Sequence, residues 1–268
     1  MHVLTYHKID TRRELGVNTV SPARFEAHLR ALLALGLRPV DMSAALSGIA
    51  GPASDDLTAA ASVHLTFDDG YANFLTHAWP LCVQYGFPAT VFPIAGYVGR
   101  SNSWDLTFPR TPHLGWSDLR ALADAGVTIG AHTVTHPFLS RIAPKAAKIE
   151  IEESKARVED GIGGPVDVFA YPHGDSSPLV RQLVEDAGYD AAFALDSPGG
   201  GATRDRWRAP RTAIYSIDSP GRVAAKVGAR GPGAMRRAGA VSRAFRMCGY
   251  AGLLVPHRWR GAAPQARG

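Results

Sequence analysis

Short apolar runs alternate along this chain with longer stretches in which apolar residues recur every three or four positions. His2 to His7 alternates loosely and is rich in strand formers. Ser21-Pro22 then opens a helix carried by Phe25, Leu29, Leu32 and Leu33, and Gly36 stops it. Arg38 to Met42 predicts a short strand, and Ser47 to Ser62, a Gly/Ala/Ser/Asp stretch, predicts a loop. Val63 to Phe67 follows as a strong strand. Beyond it the pattern predicts helices over Tyr71 to Tyr85, Ser117 to Ala125, Pro144 to Asp160 and Ser177 to Ala187. Strands are expected at Ala89 to Pro93, Val127 to Ala131, Val166 to Ala170, Asp190 to Leu195 and Trp207 to Ile214.

About seven strands alternating with helices define an α/β fold with a parallel sheet, and closure into a barrel removes the sheet's edges. Residues 1 to about 218 form one domain on this reading. With 268 residues and 46% hydrophobic composition, the chain is long enough to bury a large core. Cys82 and Cys248 lie far apart without CxxC spacing, so neither a disulfide framework nor a thiolate zinc site is expected. The opening MHVLTYHKID lacks the basic start and apolar run of a secretory signal. No stretch approaches the roughly 18 apolar residues of a membrane span. A cytoplasmic location follows as the expectation.

Charge divides the chain. The net charge is +5, from 29 Lys and Arg against 24 Asp and Glu, yet residues 220 to 268 hold ten basic residues and no acidic ones. Residues 219 to 268 therefore read as a basic extension, in the simplest case solvated and partly disordered. Docking to an anionic membrane surface or to a glycosyltransferase is the second reading, and no nucleic-acid partner is expected.

Strand Val63 to Phe67 ends in Asp68-Asp69-Gly70, placing two adjacent carboxylates where barrels of this kind keep their active sites. Strand Val127 to Ala131 ends in His132-Thr133-Val134-Thr135-His136, two imidazoles four residues apart. That spacing is expected to put both rings on one face of a helical turn. With Asp69 they would make a two-His, one-carboxylate site for a divalent transition metal, with positions open to water and substrate. Asp-Asp-Gly alone also makes ordinary turns, and a lone His is more often bonded to backbone; the pair together with the carboxylates carries the reading.

Thr66-Phe67-Asp68-Asp69-Gly70 followed by His132-Thr133-Val134-Thr135-His136 resembles the first two motifs of the polysaccharide deacetylases, the NodB-homology group also called carbohydrate esterase family four. The resemblance implies a distorted (β/α) barrel and a metal-dependent hydrolase that removes N-acetyl groups from an N-acetylated sugar of a glycan. It implies Asp68 as the base, and Asp69, His132 and His136 as ligands of a divalent ion, zinc first, with cobalt or nickel as alternatives. A third motif resembles Phe169-Ala170-Tyr171-Pro172-His173-Gly174-Asp175, which puts Tyr171, Pro172 and His173 beside the substrate. Many members carry Arg where Ala170 stands, pairing with the base. Arg211 is the candidate to replace it, since a guanidinium holds a carboxylate ionised by paired hydrogen bonds. The opening Leu4-Thr5-Tyr6-His7 resembles the first strand of a permuted subgroup that includes biofilm poly-N-acetylglucosamine deacetylases, which implies His7 as the acid rather than a late His such as His257. Trp104, Phe108, His113 and Trp116 are expected to shape the cleft or to pack a long loop. A sugar O-acetyl esterase, a hydrolase of another small amide and a catalytically silent glycan-binding scaffold stay open as alternatives.

Overall fold

The computed structural model describes residues 1–12, 16–50, 61–103, 110–196, 205–229 and 233–240. Its strands β1 (His2–Tyr6), β2 (Ser62–Asp69), β3 (Ala89–Pro93), β4 (Thr128–Ile129), β5 (Val168–Ala170), β6 (Ala191–Asp196) and β7 (Ala209–Ala213) are all parallel. They run in the order β4-β3-β2-β1-β7-β6-β5, a nearly closed barrel. β2 and β3 are apolar-rich and almost wholly buried, as befits strands covered on both faces. Register is set by pairs such as Tyr6 with Phe67 and Leu4 with Thr212, so β1 lies between the strand that carries Asp68 and the strand that carries Arg211.

The seam between β4 and β5 is joined through one residue. Ala131 donates its N–H to the Val168 carbonyl at 3.0 Å and accepts from the Ala170 N–H at 2.9 Å. Gly130 makes this approach feasible, because a Cβ there would lie 2.4 Å from the Phe92 ring and 2.8 Å from the Val168 carbonyl. The strand expected over Val127 to Ala131 is thus shorter, with its last residue serving as the clasp.

Helices α1 (Pro22–Ala34), α6 (Pro178–Asp186) and α7 (Pro220–Lys226) share one start signal. Each begins at a Ser-Pro pair whose hydroxyl accepts a backbone N–H, from Arg24, Val180 and Arg222 respectively. Serine satisfies an orphan donor while proline, lacking an N–H, occupies the first turn without loss. α1 buries Phe25, His28, Leu29 and Leu32; Leu33, expected on the same face, is 38% exposed.

Two departures from the sequence reading matter. Residues 42–50 form helix α2 (Met42–Ala50), where a strand end and the start of a loop are expected. Met42 and Ala45 pack with Val3, Phe92, Val168, Phe193 and Ala209 in the barrel interior, so burial overrides a composition that resembles a loop. The helix expected across Tyr71 to Tyr85 begins instead with a wide turn, Phe74–Ala78, and continues as α3 (Trp79–Tyr85). Pro80 brings no N–H to that junction, and the Trp79 N–H reaches back to Phe74. Helices α4 (Trp116–Asp124) and α5 (Pro144–Ile162) complete the outer layer, and among the described residues no helix is long and apolar enough to cross a membrane.

The packed unit continues past residue 218. Lys226 of α7 is 3% exposed and donates to Asp218 Oδ2 at 2.6 Å and to the Ala213 carbonyl at 2.7 Å. The Asp218 carbonyl lies 2.7 Å from His28 Nε2, and His28 Nδ1 is 3.3 Å from the Tyr6 hydroxyl. This chain of contacts ties α7 to α1 and to β1. Burial draws the Lys226 ammonium below its usual range, and Asp218 opposes that shift. Replacing Lys226 by Met should leave the buried Asp218 carboxylate with only the more distant Arg222, at 4.0 Å, and cost about 3 kcal/mol, read as a lower urea midpoint at neutral pH.

Candidate active site

Asp68 leaves β2 pointing into the barrel and is 2% exposed. Arg211, on β7, meets it with both terminal nitrogens, Nη1 to Oδ1 at 2.7 Å and Nη2 to Oδ2 at 2.8 Å. Nη1 also donates to Thr66 Oγ1 at 3.1 Å, and Thr66 is itself 3.0 Å from Thr5 Oγ1. The guanidinium lies over the rings of Phe92 and Phe193, 5.1 and 5.8 Å from their centroids. Burial pushes the Asp68 carboxyl up, but Arg211, His132 and His7 together outweigh it, and the net displacement is downward. Asp68 is thus an ionised carboxylate in a dry site. Arg211 sits where the sequence reading proposes it, and Ala170, where Arg stands in many members of the resembled family, contributes only its carbonyl.

That carbonyl accepts from His132 Nδ1 at 2.7 Å, which fixes the tautomer and leaves Nε2 as a lone-pair donor. His132 Nε2 and His136 Nε2 each face Asp69 Oδ1 at 3.6 Å, too long for a hydrogen bond. The three ligand atoms lie within 4.8 Å of one another and all three residues are buried. Burial holds both imidazoles below their ordinary value, so they stand neutral, the form in which imidazole binds a cation. One carboxylate and two neutral imidazoles around a common point fit a divalent transition metal.

The local conformation differs from the helical turn expected. Residues 132–138 form an irregular loop, with Thr133 at φ 65° and His136 at φ 62°. Thr133 Oγ1 accepts the His136 N–H at 3.0 Å. Glu150, from α5, accepts the N–H groups of Val134 and Thr135 at 2.8 and 2.9 Å and the Thr135 hydroxyl at 2.5 Å. On the other side, Ala95 and Gly96 donate to the carbonyls of Thr133 and Val134 at 3.0 Å. Asp69 itself has φ 71°, and Gly70 beyond it passes Pro93 so closely that a Cβ would fall 2.9 Å from that residue.

The third motif divides. His173, at φ 59°, stacks on Phe138 at 3.8 Å and meets the edge of His136 at 4.5 Å, so it borders the cluster; burial pushes it to about 3. Pro172 is buried in the same turn. Tyr171 is fully buried in the core, its hydroxyl donating to the Trp207 carbonyl at 2.7 Å and its N–H to the Phe193 carbonyl at 3.0 Å. Neither its ring nor its N–H is available to a substrate, contrary to the sequence reading. His7 is partly exposed just past β1. Burial lowers it to about 4, with Asp68 opposing and His132 and Arg211 adding to the fall, so it lies within electrostatic reach of the site.

His113 is 5% exposed and stacks on Tyr71 at 4.8 Å, and Trp116 covers Gly161 on α5; both are packing residues. Trp104, Phe108, Cys248 and His257 lie outside the described residues. Sequence reasoning missed Phe92, Phe193 and Glu150, and Thr66 and Thr133 were read only as parts of motifs. For Glu150 no local pattern separates it from the other acids of an exposed helix.

The polysaccharide deacetylase family profile matches residues 56–192, just over half of the chain, and the chain belongs to that family. It is 27% identical over 207 residues to the putative polysaccharide deacetylase YxkH of Bacillus subtilis, covering 76% of this chain and 67% of that protein. To the chitooligosaccharide deacetylase of a Bradyrhizobium strain it is 34% identical over 97 residues, covering 36% of this chain and 38% of that one. The fold is that of the Streptococcus pyogenes deacetylase PplD, solved with acetate, at a TM-score of 0.70 and 21% identity over 82% of this chain and 95% of that one.

Glu150→Ala should free two loop N–H groups and cost about 1–3 kcal/mol. Hydrogen exchange is expected to speed up first at Val134 and Thr135; unchanged protection there would count against the clamp.

Proposed function

We propose that the protein is a metal-dependent hydrolase that removes N-acetyl groups from an N-acetylated sugar of a polysaccharide or glycan precursor. The observation that carries this reading is the buried Arg211–Asp68 pair set beside Asp69, His132 and His136, within a chain of the polysaccharide deacetylase family. Asp69, His132 and His136 would hold a divalent ion, zinc first. When bound, such an ion supplies Lewis-acid polarisation of a carbonyl and makes water acidic enough to be a nucleophile near neutral pH.

The chain's own residues then account for the protons. Asp68, ionised and oriented by Arg211, takes a proton from the attacking water; its oxygen bonds to the acetyl carbon, and the C–N bond breaks. His7, just past β1 and electrostatically coupled to Asp68, is assigned the protonation of the departing nitrogen; the proton Asp68 takes from water and the one given to the nitrogen balance over the cycle. The products are acetate and a free amino sugar.

Asp68→Asn keeps the shape of the site but removes the base. Acetate release from N-acetylglucosamine oligomers should fall by about 10²–10⁴-fold, and a chelator should abolish it reversibly. Release that survives both treatments would refute the assignment.

Arg211→Gln removes the charge that holds Asp68 down. Asp68 works as a base only above its own pKa, so activity is lost as the pH falls through that value. In Arg211→Gln the acid limb of the kcat/KM profile should move to higher pH, whereas an unmoved limb would mean that Asp68 does not set it.

A further inference from the structure

Between the segment that follows β3, helix α4 and helix α5 lies a cavity of about 500 Å³, the size of a small-ligand site. Three arginines line it from three separate elements: Arg100 beyond β3, Arg120 on α4 and Arg157 on α5. Trp116 forms part of the wall. A Cβ at Gly161 would lie 2.1 Å from the Trp116 ring, so glycine is what lets α5 and the indole meet there. No ligand of the proposed metal is among the described lining residues. The two places do share a backbone segment, since Ala95 and Gly96 line the cavity and also hold the carbonyls of Thr133 and Val134.

Gathering cations around one hollow is unfavourable unless a counter-charge offsets it. Arg157 has such a partner in Glu153, with Nη2 to Oε2 at 2.7 Å. Among the described residues, the guanidinium groups of Arg100 and Arg120 have no hydrogen bond or ion pair. Asp160 is the only acid among the described lining residues, and no ion pair joins it to any of the three arginines. A generally basic surface does not account for this: ten of the 29 basic residues lie in residues 220 to 268, so acids outnumber bases in the rest of the chain.

Each guanidinium presents a planar fork of N–H donors that matches two oxygens of one anion. A carboxylate, with two oxygens and a single charge, is used up by one such fork. A phosphoryl group, with three acceptor oxygens and nearly two charges, can engage both. We propose that this cavity is a phosphoryl-binding site in which Arg100 and Arg120 take the oxygens of a phosphate ester, soluble or carried on a lipid headgroup. The inference stands whether or not the deacetylase reading does, because none of its residues takes part in that chemistry.

The test is titration calorimetry of the full chain with inorganic pyrophosphate, paired with flotation on phosphatidylglycerol and phosphatidylcholine vesicles. Arg100→Gln/Arg120→Gln removes both forks. Arg30→Gln/Lys145→Gln removes the same charge from exposed positions outside the cavity, and thermal melting confirms that both variants fold. The pyrophosphate dissociation constant should rise by about tenfold or more in the first variant, the loss of charge-assisted hydrogen bonds, and by no more than about twofold in the second. Anion held by a metal or by the basic tail would survive the change at Arg100 and Arg120. Binding confined to phosphatidylglycerol vesicles and lost in the first variant alone upholds the site with a lipid headgroup as its source. Binding of neither probe, or binding that the two variants weaken equally, overturns it.

Discussion

The buried ion pair between Arg211 and Asp68 is the constraint on which the rest of the site depends. An isolated carboxylate in this interior would take up a proton and cease to be a base. A guanidinium with paired hydrogen bonds, lying over Phe92 and Phe193 and steadied by Thr66, keeps the charge at the cost of burying two ions. Because β1 separates β2 from β7, the pair reaches across the barrel interior and not between neighbouring strands. The inward residues it crosses on β1 and β2, Thr5 and Thr66, are small and polar, and Thr66 accepts a hydrogen bond from Arg211.

Strain is concentrated at the same place. Among the described residues, the non-glycine positions with positive φ are Asp69, Thr133, His136 and His173, each a member of the site or in contact with it. Such conformations cost of order 1–3 kcal/mol each, and they persist where surrounding contacts over-determine them. The contacts are identifiable: Glu150 and the Ala95–Gly96 backbone grip one loop from two sides, the Ala170 carbonyl fixes His132, and Phe138 stacks on His173. The scaffold spends rigidity from α5 and β3 to aim two imidazoles at one carboxylate oxygen.

How far the sequence reveals this depends on whether a feature is local. Asp68, Asp69, His132 and His136 stand next to strand ends, so their placement at the mouth is legible from strand pattern and motif alone. Arg211 is legible only as the answer to a chemical need left by Ala170. The conformation of residues 132–138 is not legible, because spacing of four fits a helical turn equally well and the deciding partner, Glu150, lies on another element. Helix α2 is hidden for a related reason: Ser47 and Gly48 give its second half the look of a loop, and it is fixed because Met42 and Ala45 have an interior to fill. Tyr171 misleads since motif membership says nothing about which way a side chain faces.

The chain order of the site has a consequence for synthesis. His7 and the two aspartates emerge early, the imidazoles midway, and Arg211 only with the final barrel strand. Until that strand arrives, β1 lacks its neighbour on one side and Asp68 has no counter-charge, so the nascent barrel can neither close around its interior nor hold its base ionised. Completion of the fold and pairing of the buried Asp68 carboxylate with its counter-charge are thereby the same event.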